Sequence, residues 1–462
     1  VITALGFAAV LALSYLLAFH LVPRVARRLG LGRHPNPLLV KRAQRFRRIG
    51  RGYWSFVLMV TLFVASLFLE LYVNSKPLYI RYGDTVRYPA VADWLNFLWP
   101  VNPRPTQILA ADFGVPAEGE LDARRYAAWV RDPARLSQEI EQVERDIAAD
   151  EARFRKMMTE QAARRGLTYD PREPLPAAKL EDYQERRARA RRLGELQKEL
   201  QAGKAAIVMP LYPYSPGEQL LDLPGAPPHR PFQKGLPVLG TDFGGRDVLS
   251  QLLYGFRITL SFALIVTALG YFFGVLVGAS MGYFGGWYDI LVQRGVEIWS
   301  SIPFFYTIMI LASILTPGFW TLVLLLAALV GWVSITYTIR GEFYREKARD
   351  YVQAARALGV GDWAIMFRHI LPNALVPLVT FAPFAIVADM STLVALDYLG
   401  FGLPPGTPSW GVLLRQGAEN VLNHPQLVYI PVLAFAGTLF CVVLIGEAVR
   451  EAFDPRAYAR LR

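Results

Sequence analysis

Seven apolar runs of membrane-crossing length punctuate this chain, at 1–22, 53–73, 258–281, 296–315, 319–339, 373–396 and 428–446. An α-helix needs about 20 such residues to cross the hydrocarbon of a bilayer. Each run therefore predicts one transmembrane helix, with Pro303 set to kink the fourth. Gly270, Gly274 and Gly278 recur at four-residue steps in the third run, a spacing that lets two helices approach closely in lipid. Between the second and third runs, 74–250 reads as a long aqueous insertion. Within it, Leu136, Ile140, Val143, Ile147, Phe154 and Met157 fall at heptad-like steps, interrupted by Asp150. A turn over 166–176 follows, and then a charged helix over 177–203 with Leu193, Leu196 and Leu200 on one face. The pair predicts an antiparallel helical hairpin over 133–203, read either as a docking arm for an external partner or as a solvated hairpin packed back on its own domain. Residues 208–237, rich in proline and aromatics, predict an extended surface segment.

Composition supports the membrane reading. Of 462 residues, 53% are hydrophobic, and the mean hydropathy is +0.27. The formal charge of +11 is concentrated in 23–52, which holds Arg24, Arg27, Arg28, Arg33, Lys41, Arg42, Arg45, Arg47, Arg48 and Arg51 and no carboxylate. Such a loop between two spans belongs inside by the positive-inside rule. Nucleic-acid binding is the weaker reading, because nothing else in the chain supports it. Part of the loop, 36–52, suits an amphipathic interfacial helix with Leu38, Leu39, Phe46 and Ile49 toward lipid. Residues 1–22 lack the basic leading segment of a signal peptide, which favours a retained helix with its N-terminus outside. One cysteine, Cys441, and five scattered histidines exclude an intrachain disulfide and offer no His-based metal motif.

Counting crossings from an inside 23–52 loop places 340–372 inside again. There, Asp350, Gln353, Ala354, Ala355, Ala357 and Leu358 predict a short helix that Gly359 can end with a positive φ. Asp362 suits the N-cap of a following turn. Ala354, Ala355 and Gly359 predict a shallow surface on which another protein can press. Gln353-Ala354-Ala355, Gly359 and the closing Ile370-Leu371-Pro372 resemble the E-A-A-x3-G-x9-I-x-L-P loop of bacterial ABC-import permeases, with Gln in place of Glu and the close one residue tighter. Gly240-Thr241-Asp242, Arg246-Asp247, the Leu399-Gly400-Phe401-Gly402-Leu403-Pro404 segment and the terminal 446–456 resemble oligopeptide and dipeptide permeases. The entry at 51–55, the Ser75-Lys76-Pro77 context and the Glu451-Ala452-Phe453-Asp454-Pro455 close are most similar to the YejE-type subunit.

The resemblance covers 40–75 and 238–456. It implies a six-helix permease core at 53–73 and 251–446, an extra N-terminal helix at 1–22, a periplasmic insertion and a cytoplasmic tail at 447–462, in a bacterial inner-membrane protein. It implies one of two related permeases, served by two ATPase subunits or one double ATPase and by an extracytoplasmic peptide-binding protein. The loop would couple to the ATPase, which uses ATP and Mg; this chain has no GxxxxGKS phosphate loop and binds no cofactor. Asp242 and Asp247 could pass for an acid–base pair, but the resemblance makes them structural. Asp389, ionisable within a span, faces a cavity on the substrate path or a structural partner. The alternative function is a membrane scaffold or wall-sensing protein that uses the hairpin without transport.

Overall fold

The computed structural model describes residues 2–24, 37–100, 103–117, 119–164, 170, 175–315 and 318–453. Arg27, Arg28, Arg33, most of the 166–176 turn and the 454–456 close lie outside them. In chain order the helices are α1 (Thr3–Arg24), α2 (Pro37–Arg48), α3 (Gly50–Ser66), α4 (Pro89–Leu98), α5 (Ala123–Arg131), α6 (Ala134–Arg164) and α7 (Ala177–Gln201). Then come α8 (Val248–Phe284), α9 (Gly286–Ser300), α10 (Phe304–Ile314), α11 (Phe319–Gly331), α12 (Val333–Lys347), α13 (Asp350–Ala357), α14 (Val376–Leu399), α15 (Trp410–Glu419) and α16 (Gln426–Phe453). Three short strands, β1 (Tyr79–Tyr82), β2 (Thr85–Arg87) and β3 (Ala205–Val208), and helical pieces shorter than eight residues lie between them.

The chain divides into two compact units, one of residues 1–67 with 216–462 and one of 68–215. The first is an all-α membrane unit. Helices α1, α8, α14 and α16 are each long and apolar enough to cross a bilayer, and three bent pairs reach that length together. Those pairs bend by 99° at α2–α3, 69° at α9–α10 and 45° at α11–α12. The 69° break falls at 301–303, where Pro303 caps α10 and cannot continue the helix before it. The 45° bend has no proline. A wide π turn at Ala327–Gly331 ends it, and the freed carbonyl of Leu329 accepts from Trp299 Nε1 at 3.1 Å.

Glycines set the α8 packing. A Cβ at Gly274 would lie 2.6 Å from the Trp332 carbonyl oxygen, and one at Gly282 would lie 2.6 Å from that of Arg340. The seam thus runs from Gly270 to Gly282, one helical step beyond the three glycines read from the sequence. The helix runs on past the apolar run that ends at 281, through Phe284, and Gly285 ends it at φ +67°.

The 68–215 unit has the β2-β1-β3 antiparallel sheet, absent from the sequence reading, and its own core of Ile80, Phe113, Tyr126, Trp129, Leu136, Leu196 and Leu200. Its strands were hidden because each spans only three or four residues. It begins at 68, ahead of the 74 expected, and ends at 215, short of the 250 expected; 216–250 belong to the membrane unit. Helices α6 and α7 pack antiparallel, with Gln197 Nε2 2.6 Å from Ser137 Oγ and Lys179 Nζ 3.4 Å from Asp150 Oδ2. Asp150 interrupts the apolar seam and is met there by Lys179 and by the Tyr183 hydroxyl at 3.5 Å. Met157, read as part of that seam, is 45% exposed.

Candidate functional site

The 340–372 loop builds the site. Helix α13 is eight residues long and therefore marginal by itself. Burial holds it. Val352 and Ala355 point inward and join Ile365, Met366, Ile370 and Ala374 against Ala279, Tyr283, Ile339 and Phe343 of α8 and α12. Ala355, expected on the accessible face, is therefore core. The outward face carries Gln353, Ala354, Ala357, Leu358 and Gly359, followed by Trp363. Leu358 is 83% exposed and Trp363 67%, a large apolar area for a surface turn. Gly359 ends the helix at φ +75°, and a side chain there would meet open space. The Val360 N–H donates to the Ala355 carbonyl at 3.1 Å, closing the last turn.

Asp350 opens α13 in its first turn, where a negative charge suits the helix dipole. Gly361 takes the N-cap position of the next turn, one residue before the Asp362 expected there. The Asp362 carboxylate instead accepts a hydrogen bond from the Tyr283 hydroxyl. A π turn at Ile365–Ile370 then leads to Leu371 and Pro372 in the first turn of Leu371–Ala374. The wider turn gives room for a proline ring that would clash with a regular helix upstream. Ile370 is buried, Leu371 half-buried and Pro372 exposed.

Polar bonds latch the loop to the membrane helices. Tyr283, at the end of α8, donates to Asp362, accepts from Arg356 Nη2 at 3.4 Å, and offers its backbone carbonyl to Lys347 Nζ. Gln353 Nε2 donates to the Lys347 carbonyl at 2.9 Å. A glutamate there could not make that bond, so the Gln found in place of the resembled family's Glu has a local role. Tyr351 donates to Glu346 Oε2 at 2.8 Å and accepts from Asn373 at 3.2 Å, tying α13 to the end of the loop. Its phenol is held above the ordinary value, chiefly by burial. Beside this latch, Asp289 of α9 takes a bidentate pair from Arg340 at 2.6 and 2.7 Å and a bond from Tyr344. None of Tyr283, Asp289, Arg340 or Glu346 was singled out by sequence; Asp289 lies between two apolar runs, where a carboxylate carries no special signal.

Asp389 lies apart from the loop, on α14. Its Oδ2 accepts from Thr267 Oγ1 of α8 at 2.7 Å, so among the described residues its partner is a hydroxyl and not a cation. Asp397, unremarked in the sequence, organises the segment after α14. It accepts from Leu403 N at 2.7 Å and from the Ser409 hydroxyl, and a Cβ at Gly411 would lie 2.6 Å from its own Cβ. Trp410 Nε1 then donates to the Leu252 carbonyl at 3.0 Å, seating the segment on α8. Asp242 and Asp247 are fully buried. Asp242 accepts from Gly244 N, Arg246 N and Gln251 Nε2, while Asp247 caps α8 by accepting from Ser250 N at 2.6 Å. Carboxylates so engaged build a turn and a helix start. Among the described residues no group of His, Cys, Asp and Glu could hold a metal ion.

Residues 274–458 match the family described as binding-protein-dependent transport system inner membrane component. The peptidoglycan transport system permease protein YejE of Agrobacterium fabrum is 36% identical over 426 residues, 91% of this chain and 94% of that protein. The inner membrane ABC transporter permease protein YejE of Escherichia coli is 34% identical over 420 residues, 91% of this chain and 98% of its own. The glutathione transport system permease protein GsiD of Pectobacterium atrosepticum matches at 30% over 218 residues, only 47% of this chain. The chain belongs to the inner-membrane permeases of binding-protein-dependent ABC transport systems and, within them, to the YejE type.

Proposed function

We propose that this permease forms one half of a peptide-translocating path and takes its power stroke from a cytoplasmic ATPase through the 350–372 loop. The carrying observation is the two-sidedness of α13. Val352 and Ala355 are buried among α8 and α12, while Ala354, Ala357, Leu358, Gly359 and Trp363 stand outward. Small side chains flanking an exposed leucine and tryptophan suit insertion into a cleft of a partner, where aromatic anchors supply much of the binding energy. The Tyr283, Lys347 and Tyr351 bonds make the loop rigid toward its own chain. Displacement of α13 would then pass to α8 and α12 as a body and not be lost in local flexing.

The basic 23–52 segment supports a cytoplasmic loop and tail, with the 68–215 unit on the other face. The partners are a second permease as heterodimer, two ATPase subunits or a double ATPase that uses ATP and Mg, and an extracytoplasmic binding protein. Relatives named for peptidoglycan and glutathione transport share peptide chemistry, which supports a peptide or modified-peptide substrate. Asp389, with Thr267, is the candidate polar point on the path.

Co-purification tests this reading. The tagged native chain should bring down the ATPase subunits encoded with it, and Ala357→Trp, a helix-compatible bulk on the exposed face, should lose them while still inserting. Retention of the ATPase by Ala357→Trp, or its absence from the native preparation in mild detergent, would overturn the coupling role.

A further inference from the structure

Helix α2 meets α3 at 99°, with the break at Ile49. If α3 crosses the bilayer, α2 must run along the membrane plane at head-group level. Its inner face is already occupied. Phe46 packs edge-on against Tyr53 and Phe56, with centroids 6.4 and 5.8 Å apart. The Arg42 guanidinium sits 4.7 Å over the Phe453 ring of α16. Phe46, expected to face lipid, is therefore turned toward the helix bundle; the sharp fold-back at Ile49 brings α2 alongside α3.

What remains outward includes three cations beside Val40, Ala43 and Gln44. Lys41, Arg47 and Arg48 are exposed, and among the described residues no hydrogen bond, ion pair or ring contact engages them. Helix α2 carries no Asp or Glu. On the elements packed against it, the described carboxylate paired nearby is Glu451 of α16, which meets Arg51 at 3.5 Å with both side chains at least half exposed, a weak pair. Cations fixed at head-group depth without a protein counter-charge attract anionic lipid.

We infer that α2 is a binding surface for anionic phospholipid head groups, with Lys41, Arg47 and Arg48 as the contacts, clamping the α3–α16 end of the bundle to the bilayer surface. The inference requires only that α3 crosses the membrane and stands apart from the transport reading.

The test uses the purified full chain in neutral detergent, titrated with dioleoylphosphatidylglycerol or dioleoylphosphatidylcholine, with thermal unfolding as the readout. Phosphatidylglycerol should raise Tm at a concentration at least tenfold lower than phosphatidylcholine, and added salt should weaken its effect. A Lys41→Gln, Arg47→Gln, Arg48→Gln variant should unfold as the native chain does without lipid and lose that preference; the other cations of 23–52 keep its positive bias. Equal action of the two lipids, an unchanged preference in the variant, or the same shift from inorganic phosphate alone would overturn the lipid surface. A protein partner for α2 would then remain.

Discussion

Tyr283 is the residue on which the coupling reading turns. One phenol joins the end of α8 to Asp362 and Arg356 of the loop, and its carbonyl takes Lys347. Tyr283→Phe removes the hydroxyl and leaves the ring, which packs in the buried cluster. The expected cost to stability is modest, about 1 kcal/mol for a lost hydrogen bond. The expected functional loss is larger. The variant should still bind the ATPase, because the outward face of α13 is untouched, but substrate-stimulated ATP hydrolysis in liposomes should fall severalfold. Unchanged stimulation would remove Tyr283 from the coupling path. At this scale the sequence was legible wherever backbone geometry dictates the residue. Gly359 has the positive φ its position demanded. It was illegible at Ala354 and Ala355. Both are small and adjacent, and only packing against Ile365 and Phe343 makes one core and the other surface.

Among the elements, the hairpin arms were readable because their apolar period extends over several turns, which averages out single errors. The details were not. Leu196 is 1% exposed, while Met157, at an equally plausible step of the repeat, is 45% exposed. Leu196→Ala should therefore destabilise the 68–215 unit by about 2–5 kcal/mol and Met157→Ala by less than about 0.5 kcal/mol, measured by urea unfolding. Equal effects would mean that the arms pack in another register. The broken helices sort in the same way. Pro303 announced its bend, whereas the π turn at 327–331 has no such marker and follows from how α11 and α12 sit on the α8 glycines.

For the molecule as a whole, the 68–215 unit stands out as a body with its own core and sheet, and its ends meet where Asn74 N–H donates to the Tyr212 carbonyl at 3.2 Å. Expressed by itself in water, it should be monomeric and unfold cooperatively by circular dichroism; a flat melt would mean that it depends on the membrane unit. Its stability should also follow pH through one pair. Tyr82 donates to Glu199. That bond holds the Glu199 carboxyl below its ordinary 4.5, while burial, more than the bond, pushes Tyr82 up to about 12. A lowered acid stabilises above its unfolded value and loses that contribution as pH falls through the folded one. A raised tyrosine stabilises below 10.0 and loses it as pH rises through about 12. The Tm difference between native unit and Tyr82→Phe should be greatest between these limbs and shrink at both; a pH-independent difference would remove the pair from the balance.

The chain's seven apolar runs, its basic 23–52 segment and the spacing of its loop glycine were sufficient to determine a polytopic helical protein and to mark 350–372 as the loop proposed here for coupling. Hydrocarbon thickness, charge asymmetry and positive φ act on local sequence, so they can be read without coordinates. Only the tertiary structure decided which face of α13 looks outward, that Tyr283 and Asp397 hold their loops, that α2 turns Phe46 inward and leaves three cations free, and that a small sheet seals the insertion. Each of these depends on residues far apart in the chain meeting in space, and a short polar or apolar segment does not reveal beforehand which distant neighbour will satisfy it.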